Sequence, residues 1–300
     1  MTAIAILCLL ILLRQVLSLR HLTAHTTAEL PHRFAVVAVL LCLVCVCTRW
    51  PGLGVTTQVR SGLQYFAAVM MLTPFVGILG ARRPGMKAWP WFVVVPLVVV
   101  LQWPSLSQIL SEKATTAISI PTPTMLGFLL VLLMGVGNYF GTINTGAGIF
   151  SGIAILLFVL PVSEWTSFSN SWCVPVACAL LAFAGTLLPG RYSDSKVQTA
   201  VEGESAEANR LWTDFRDIYG IVWAKRVMDR FNQFALREQW DVILTLDGFV
   251  DRSGDAIEKS TVTISQRPLE ILCWILRRFV DRPFLRRYLP EASLPENSQQ

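Results

Sequence analysis

The three histidines of the chain lie within twelve residues, in a stretch that also holds one acid: His21, His25, Glu29 and His32. On a continuous helix His21, His25 and Glu29 would share one face, and two imidazoles with a carboxylate are a ligand set that zinc accepts. Pro31 and two adjacent threonines disfavour a stable exposed helix at this point. The stretch therefore has two interpretations, a metal site and an ordinary loop at a membrane surface, of which the loop is favoured.

Other familiar active-site patterns are missing from the sequence. Because histidine is confined to that one stretch, a serine or cysteine nucleophile elsewhere would lack a base. Three cysteines between 42 and 47 lie in an apolar run, where cysteine usually packs as a small apolar side chain. The acidic stretch 247–258 does not fit a calcium-binding EF-hand, whose glycine and final glutamate positions hold Ala256 and Val262. The sequence favours a non-enzymatic protein and predicts no cofactor.

Charge divides the chain into two parts. Residues 191–300 hold 16 of the 25 basic and 17 of the 20 acidic residues, so this part is charge-dense and almost neutral. The first 190 residues are apolar, and the whole chain reaches a mean hydropathy of +0.53. This division is typical of a multi-span membrane region followed by a domain in water. The near-neutral second part also lacks the basic surface that nucleic-acid binding requires.

Apolar segments of nearly membrane-crossing length recur through the first part. They predict an all-α polytopic integral membrane protein with six or seven transmembrane helices, seven being favoured. Whether the first segment spans is left open, because Arg14 interrupts it. The predicted spans lie near residues 2–19, 33–49, 62–80, 89–105, 124–141, 147–163 and 172–189.

Basic residues predict the orientation of these spans. The connections on one side, together with the start of the second part, carry seven Lys and Arg residues, against two on the other side. The positive-inside rule then places the C-terminal part in the cytoplasm and the N-terminus outside. Short, compact loops suggest a bacterial inner membrane.

A stretch of fifty residues, 114–163, contains no charge, and its centre at 135–148 is rich in glycine and asparagine. One interpretation is a tight hairpin of two helices with close small-residue contacts. The other is a pair of broken helices whose polar groups line a substrate pathway. In that case the lining residues would be Asn138, Thr142, Asn144 and Thr145.

The C-terminal part is predicted as a linker at 190–205, a small and mainly helical domain at 206–290, and a disordered tail at 291–300. Its main feature is an amphipathic helix from about 206 to 239, with Gly220 as a kink or close-packing point. A short strand at 242–246 and a turn at Asp247 follow.

Two faces of this domain are candidates for recognition. The first helix carries an aromatic stripe that could dock a protein partner, namely Trp212, Phe215, Tyr219, Trp223 and Phe231. A second amphipathic element, 268–289, either lies on the anionic membrane surface or packs on the first helix. Its candidate membrane-surface residues are Trp274, Arg277, Arg278, Arg282, Arg286 and Arg287.

These patterns predict a membrane anchor or scaffold whose cytoplasmic domain docks a protein partner or the membrane surface. The expected partners are the lipid bilayer and a protein that would bind through the C-terminal domain, but no nucleic acid. One alternative is a small-solute permease that uses the hairpin at 114–163. A third hypothesis is a membrane-embedded enzyme acting on lipid through the histidine stretch.

Overall fold

A computed structural model describes residues 1–81, 89–110, 117–165, 170–188, 204–252 and 264–289. The protein is mostly helical with little strand. Residues 190–203 of the predicted linker, the tail at 291–300 and part of the acidic stretch 247–258 lie outside the described residues.

The first part of the chain consists of apolar helices joined by short connections. They are α1 (Thr2–Ser18), α2 (Arg20–Thr23), α3 (Glu29–Cys47), α4 (Thr57–Leu79), α5 (Trp89–Leu110), α6 (Thr122–Gly137), α7 (Thr145–Val159) and α8 (Asn170–Thr186). Five helical stretches are long and apolar enough to cross a membrane: Thr2–Thr23, Glu29–Cys47, Thr57–Leu79, Trp91–Leu110 and Thr145–Val162. Two shorter apolar helices accompany them, Thr122–Gly137 and Ser171–Thr186.

Helix α4 lies at the centre of this apolar bundle and contacts α3, α5, α6 and α7. Two of its buried polar side chains donate hydrogen bonds to carbonyl groups of neighbouring helices. Gln64 Nε2 donates to Phe158 O over 2.7 Å, and the Tyr65 hydroxyl donates to Leu101 O over 2.7 Å. Such bonds matter in an apolar bundle, where an unpaired buried polar group is costly.

Large apolar side chains point away from the bundle. Phe92 is 71% exposed, and Leu133 is 69% exposed. A soluble protein rarely leaves so much apolar surface in contact with water. The outer surface is therefore compatible with a membrane protein.

The C-terminal domain has its own core. Its elements are α9 (Glu204–Tyr219), α10 (Ile221–Arg237), β1 (Val242–Thr245), β2 (Gly248–Asp251), α11 (Gln266–Leu276) and α12 (Arg282–Leu285). The two strands form an antiparallel hairpin in which Thr245 pairs with Gly248, so the predicted strand and turn are confirmed.

The helix predicted at 206–239, with Gly220 as a kink or close-packing point, is interrupted at that glycine. It is two helices, because Gly220 adopts φ 78° and ψ 177°, which ends α9 and begins α10 in a new direction. That conformation is essentially restricted to glycine.

The aromatic stripe predicted to dock a partner is the core of this domain. Four of the five side chains are 0% exposed, and Trp223 is 5% exposed. Trp212, Phe215 and Tyr219 pack in sequence along α9, and Phe279 joins them from the segment after α11. A partner cannot reach these rings in the folded domain, so the stripe is not a docking surface.

Helix α11 packs its apolar face into the same core. Leu269, Leu272 and Leu276 are almost fully buried there. Of the two interpretations of residues 268–289, packing within the domain is therefore the one observed, because the stripe that would enter a membrane is already covered.

Candidate functional site at the junction of the two regions

The structure does not bring the candidate metal ligands of the histidine stretch together on one helix face. The helix ends at Thr23, and His25 adopts a left-handed conformation with φ 65° before α3 begins at Glu29. His21 Nδ1 contacts Ser18 O at 2.7 Å, and Glu29 forms an ion pair with Arg33 at 2.6 Å. Among the described residues, no three potential ligands come close enough to hold a metal ion.

The backbone leaves the helix here because it pairs with the C-terminal domain. Thr27 N donates to Phe279 O over 2.8 Å, and Asp281 N donates to His25 O over 2.8 Å. These bonds attach the connection between α1 and α3 to the segment after α11. They form the first contact of the junction between the two regions.

Tyr219 reinforces this first contact from inside the domain. Its hydroxyl donates to Phe279 O over 2.8 Å and lies 2.9 Å from the hydroxyl of Thr27, which therefore donates to it. Burial raises the pKa of Tyr219 to about 12, so the phenol remains a donor at physiological pH.

The second contact joins Asn138, which follows α6, to the break between α9 and α10. Asn138 Nδ2 donates to Tyr219 O over 2.9 Å, and Asn138 Oδ1 accepts from Val222 N over 3.1 Å. Its backbone oxygen accepts from Ile221 N over 2.8 Å. Asn138 thus satisfies the end of one helix and the start of the next, groups that have no partner within a helix.

The close approach of Asn138 requires glycine at position 220. A Cβ atom built on Gly220 would overlap with both the side chain and the carbonyl oxygen of Asn138. Gly220 is therefore fixed twice, by its positive φ angle and by this approach.

Of the other three residues of the predicted substrate pathway, Thr142 and Asn144 lie in the same loop and Thr145 begins α7. Asn144 Nδ2 donates to Asp217 O over 2.8 Å, which adds a further bond to the C-terminal domain. The hydroxyls of Thr142 and Thr145 donate to Tyr139 O over 2.7 and 2.9 Å and so brace the loop. The four residues are brought together, and the loop is a tight turn between intact helices.

A third contact comes from α10. Trp223 Nε1 donates to Ile78 O over 2.9 Å, which satisfies a carbonyl in the last turn of α4. The junction therefore connects three separate parts of the apolar bundle to one small domain.

Two acids of α9 lie at or near the junction, Asp217 buried and Asp214 half-buried. Burial raises the pKa of Asp217, although Arg216 Nε lies 3.1 Å from Asp217 Oδ1 and lowers it. Burial also raises the pKa of Asp214, whose carboxylate accepts a hydrogen bond from the Tyr288 hydroxyl. Ionisation of each carboxyl group therefore costs more free energy here than it does in water.

A cavity of about 250 Å³ lies beside these contacts, between α2, α3, α4, α7 and α9. Among the described residues that line it, His32 and Asp217 are those that can carry charge near neutral pH. The cavity is smaller than the about 300–1,000 Å³ of typical ligand pockets. It therefore does not indicate a substrate.

The arginine-rich residues of 268–289 do not share one surface. Trp274 is 44% exposed with Arg278 stacked near its ring, whereas Arg277 and Arg282 are partly buried. Arg287 turns to the junction, where its guanidinium donates to His21 O over 3.0 Å. Only part of this set is therefore free to meet a membrane surface or a partner.

One exposed feature of the C-terminal domain is not predicted from the sequence. Phe234 of α10 and Trp274 of α11 meet edge to face, with their ring centroids 6.1 Å apart. Arg230 covers Phe234 at 4.9 Å, and Arg278 lies 5.8 Å from the Trp274 ring. We call these four residues the arginine–aromatic patch. Only the packing of α10 beside α11 brings them together, so no pattern in the sequence indicates it.

No protein-family model matches the sequence, and neither a curated protein nor a solved structure was found that matches it.

Proposed function

We propose that the protein is a non-enzymatic, multi-pass membrane scaffold with seven spans in a bacterial inner membrane. The C-terminal domain lies in the cytoplasm, and the N-terminal end of α1 faces the outside. In this role the apolar bundle fixes the domain in one orientation against the bilayer.

The arrangement of the helix ends supports seven spans. The ends of α1, α4 and α6 hydrogen-bond to the C-terminal domain or lead directly into segments that do. At the opposite end, the segments before α6 and after α7 meet in a bridge between Ile120 and Ser163. Successive helices running in opposite directions agree with seven crossings, and the excess of basic residues on the domain side agrees with a cytoplasmic domain.

The junction between the two regions is the main support for the scaffold role. Three contacts hold the domain through hydrogen bonds of Thr27, Asn138 and Trp223, and each such bond contributes about 0.5–1.5 kcal/mol. A domain connected only by a linker would be free to tumble. A domain held in this way presents the same surface at the same height above the membrane.

The arginine–aromatic patch is the best candidate for that surface. Aromatic rings and arginine are enriched at protein interfaces. The guanidinium groups of Arg230 and Arg278 lie near the two rings and can pair with carboxylates of an acidic partner. We therefore propose that the patch docks an acidic, amphipathic segment of a partner protein.

The test is co-purification from native membranes in mild detergent. Trp274→Ala combined with Arg278→Glu should remove the partner while the full chain still inserts, since truncating an interface hot spot costs about 2 kcal/mol or more. Leu246→Ala is the control, because Leu246 is 39% exposed in the hairpin turn and outside the patch.

Equal recovery of the partner with the patch variant and the control would rule out docking through the patch. The domain would then be left with the second proposed target, the membrane surface itself.

The permease alternative has less support. Its two asparagines already use their side chains to bind the C-terminal domain, so their amides are not free to coordinate a solute. The hypothesis of a lipid enzyme also loses support, because the histidine stretch is used for backbone pairing with the same domain.

A further inference from the structure

A second cavity lies on the other side of the junction, between α4, α5, α6 and the first turns of α10. Its volume is about 490 Å³, within the range of about 300–1,000 Å³ for small-molecule sites. Its apolar walls come from three helices of the bundle: Val76, Leu79, Val93, Leu97, Val131 and Met134.

The position of this cavity matches the boundary between lipid chains and headgroups. Each of the six wall residues lies within nine residues of the domain-side end of its helix. At 1.5 Å per residue this is a depth of at most about 13 Å. Met134 is 58% exposed and Val93 is 37% exposed, so the cavity opens to the side, where lipid would surround the bundle.

The side chain of Arg226 lies at the domain side of the cavity. Among the described residues that line it, Arg226 is the one charged side chain, and no acid accompanies it. Its guanidinium stacks over Trp223 at 4.8 Å, and Trp223 is itself held by the bond to Ile78 O. This cation–π contact holds the guanidinium beside the cavity, where its N–H groups can bind an oxyanion.

We propose that this cavity binds one acyl chain of an anionic phospholipid, with the lipid phosphate paired to Arg226. An apolar groove in the bilayer is filled by a lipid chain, and an arginine beside its outer end selects a negative headgroup. The inference goes beyond the scaffold role and rests on the membrane placement proposed above. A bound lipid would connect α4, α5 and α6 to α10 and add a lipid-dependent contact to the junction.

The test measures lipid binding by native mass spectrometry of the full chain released from detergent. The probes are phosphatidylglycerol and phosphatidylcholine with identical chains. The wild type should retain one phosphatidylglycerol and prefer it about fivefold or more, the effect expected for one basic residue near anionic lipid. Arg226→Gln should abolish the preference. Arg237→Gln should retain it, because it removes an exposed charge from the far end of the same helix.

A second variant tests the acyl chain. Val93→Trp should fill the cavity and weaken the binding of both lipids, while glycerol 3-phosphate, a headgroup without chains, should not compete. An unchanged preference in Arg226→Gln, an equal loss in Arg237→Gln, or full binding by Val93→Trp would each overturn the site, as would competition by glycerol 3-phosphate.

Carbonate extraction separates this inference from the proposed function. All variants should stay in the membrane pellet. Release of the wild-type chain would refute the membrane placement and the lipid site together, whereas a membrane-bound Arg226→Gln with unchanged lipid preference refutes the lipid site alone.

Discussion

A single asparagine, Asn138, supplies the hydrogen bonds that the break at Gly220 leaves open. It is 2% exposed and uses both ends of its amide and its own carbonyl oxygen. At the scale of the residue, the junction therefore depends on a close pair: a side chain that bonds to backbone groups and a glycine that lets it approach.

Gly220→Ala should destabilise the folded protein by more than about 2 kcal/mol, because strain at such a φ angle alone costs about 1–3 kcal/mol and the clash with Asn138 is added. Gly141→Ala is a matched control. Gly141 has the same φ of 78°, but a Cβ there meets nothing within 4 Å. Thermal unfolding in detergent compares the two, and equal losses would show that the approach of Asn138 contributes nothing.

At the scale of the element, the sequence predicts those features that depend on residues close to one another in the chain. The apolar helices, the hairpin at β1 and β2 and the apolar stripes of α9 to α11 all follow from periodicity within a few turns. The element against which each stripe packs does not follow from this periodicity. The aromatic stripe was a correct pattern with the wrong role, because the residues that cover it, such as Phe279, come from a distant part of the chain.

The candidate site was predicted in part for the same reason. The sequence singled out the loop that holds Asn138 and Asn144, since glycine and asparagine are unusual between apolar helices. It could not show that these amides bind the backbone of a domain 73 to 84 residues away. A buried hydrogen bond between distant segments leaves no periodic signal.

Helix α9 should make the stability of the protein depend on pH. The pKa of Asp214 and that of Asp217 are raised above the ordinary carboxyl value of 3.8 by burial. The folded state therefore binds these two protons more tightly than the unfolded state, and this difference stabilises the fold. The stabilisation is fully present below pH 3.8 and is lost as the pH rises through the raised pKa values of the folded state.

Asp214→Asn should therefore reduce the fall in melting temperature with rising pH. Tyr288→Phe should have the opposite effect and move the fall to higher pH, because the Tyr288 hydrogen bond lowers the pKa of Asp214. Melting curves from pH 4 to 8 decide this, and parallel curves for wild type and Asp214→Asn would contradict it.

At the scale of the whole molecule, the two regions form one unit with two chemically different ends. One end carries the C-terminal domain, and the other carries short connections such as the one that contains Leu53. The proposed orientation of this unit in a membrane places the two ends on opposite sides of the bilayer.

Cysteine labelling can test the orientation, because of the seven unpaired cysteines Cys47 is the exposed one. In a Cys47→Ser background, Leu53→Cys should react with an impermeant maleimide in intact cells, since Leu53 is 56% exposed outside the bundle. Gln233→Cys on α10 should react only after the cells are opened. The reverse pattern would place the domain outside.

The pairing of His21 with Arg287 also has a consequence for biosynthesis. These residues are 266 positions apart, so the ribosome needs roughly 13–53 s between them at about 5–20 residues per second. During that interval the first connection is already made, but its partners at 279–281 do not yet exist. The junction therefore closes after nearly the whole chain has been synthesised, and a prematurely ended chain would leave this connection open to proteases and chaperones.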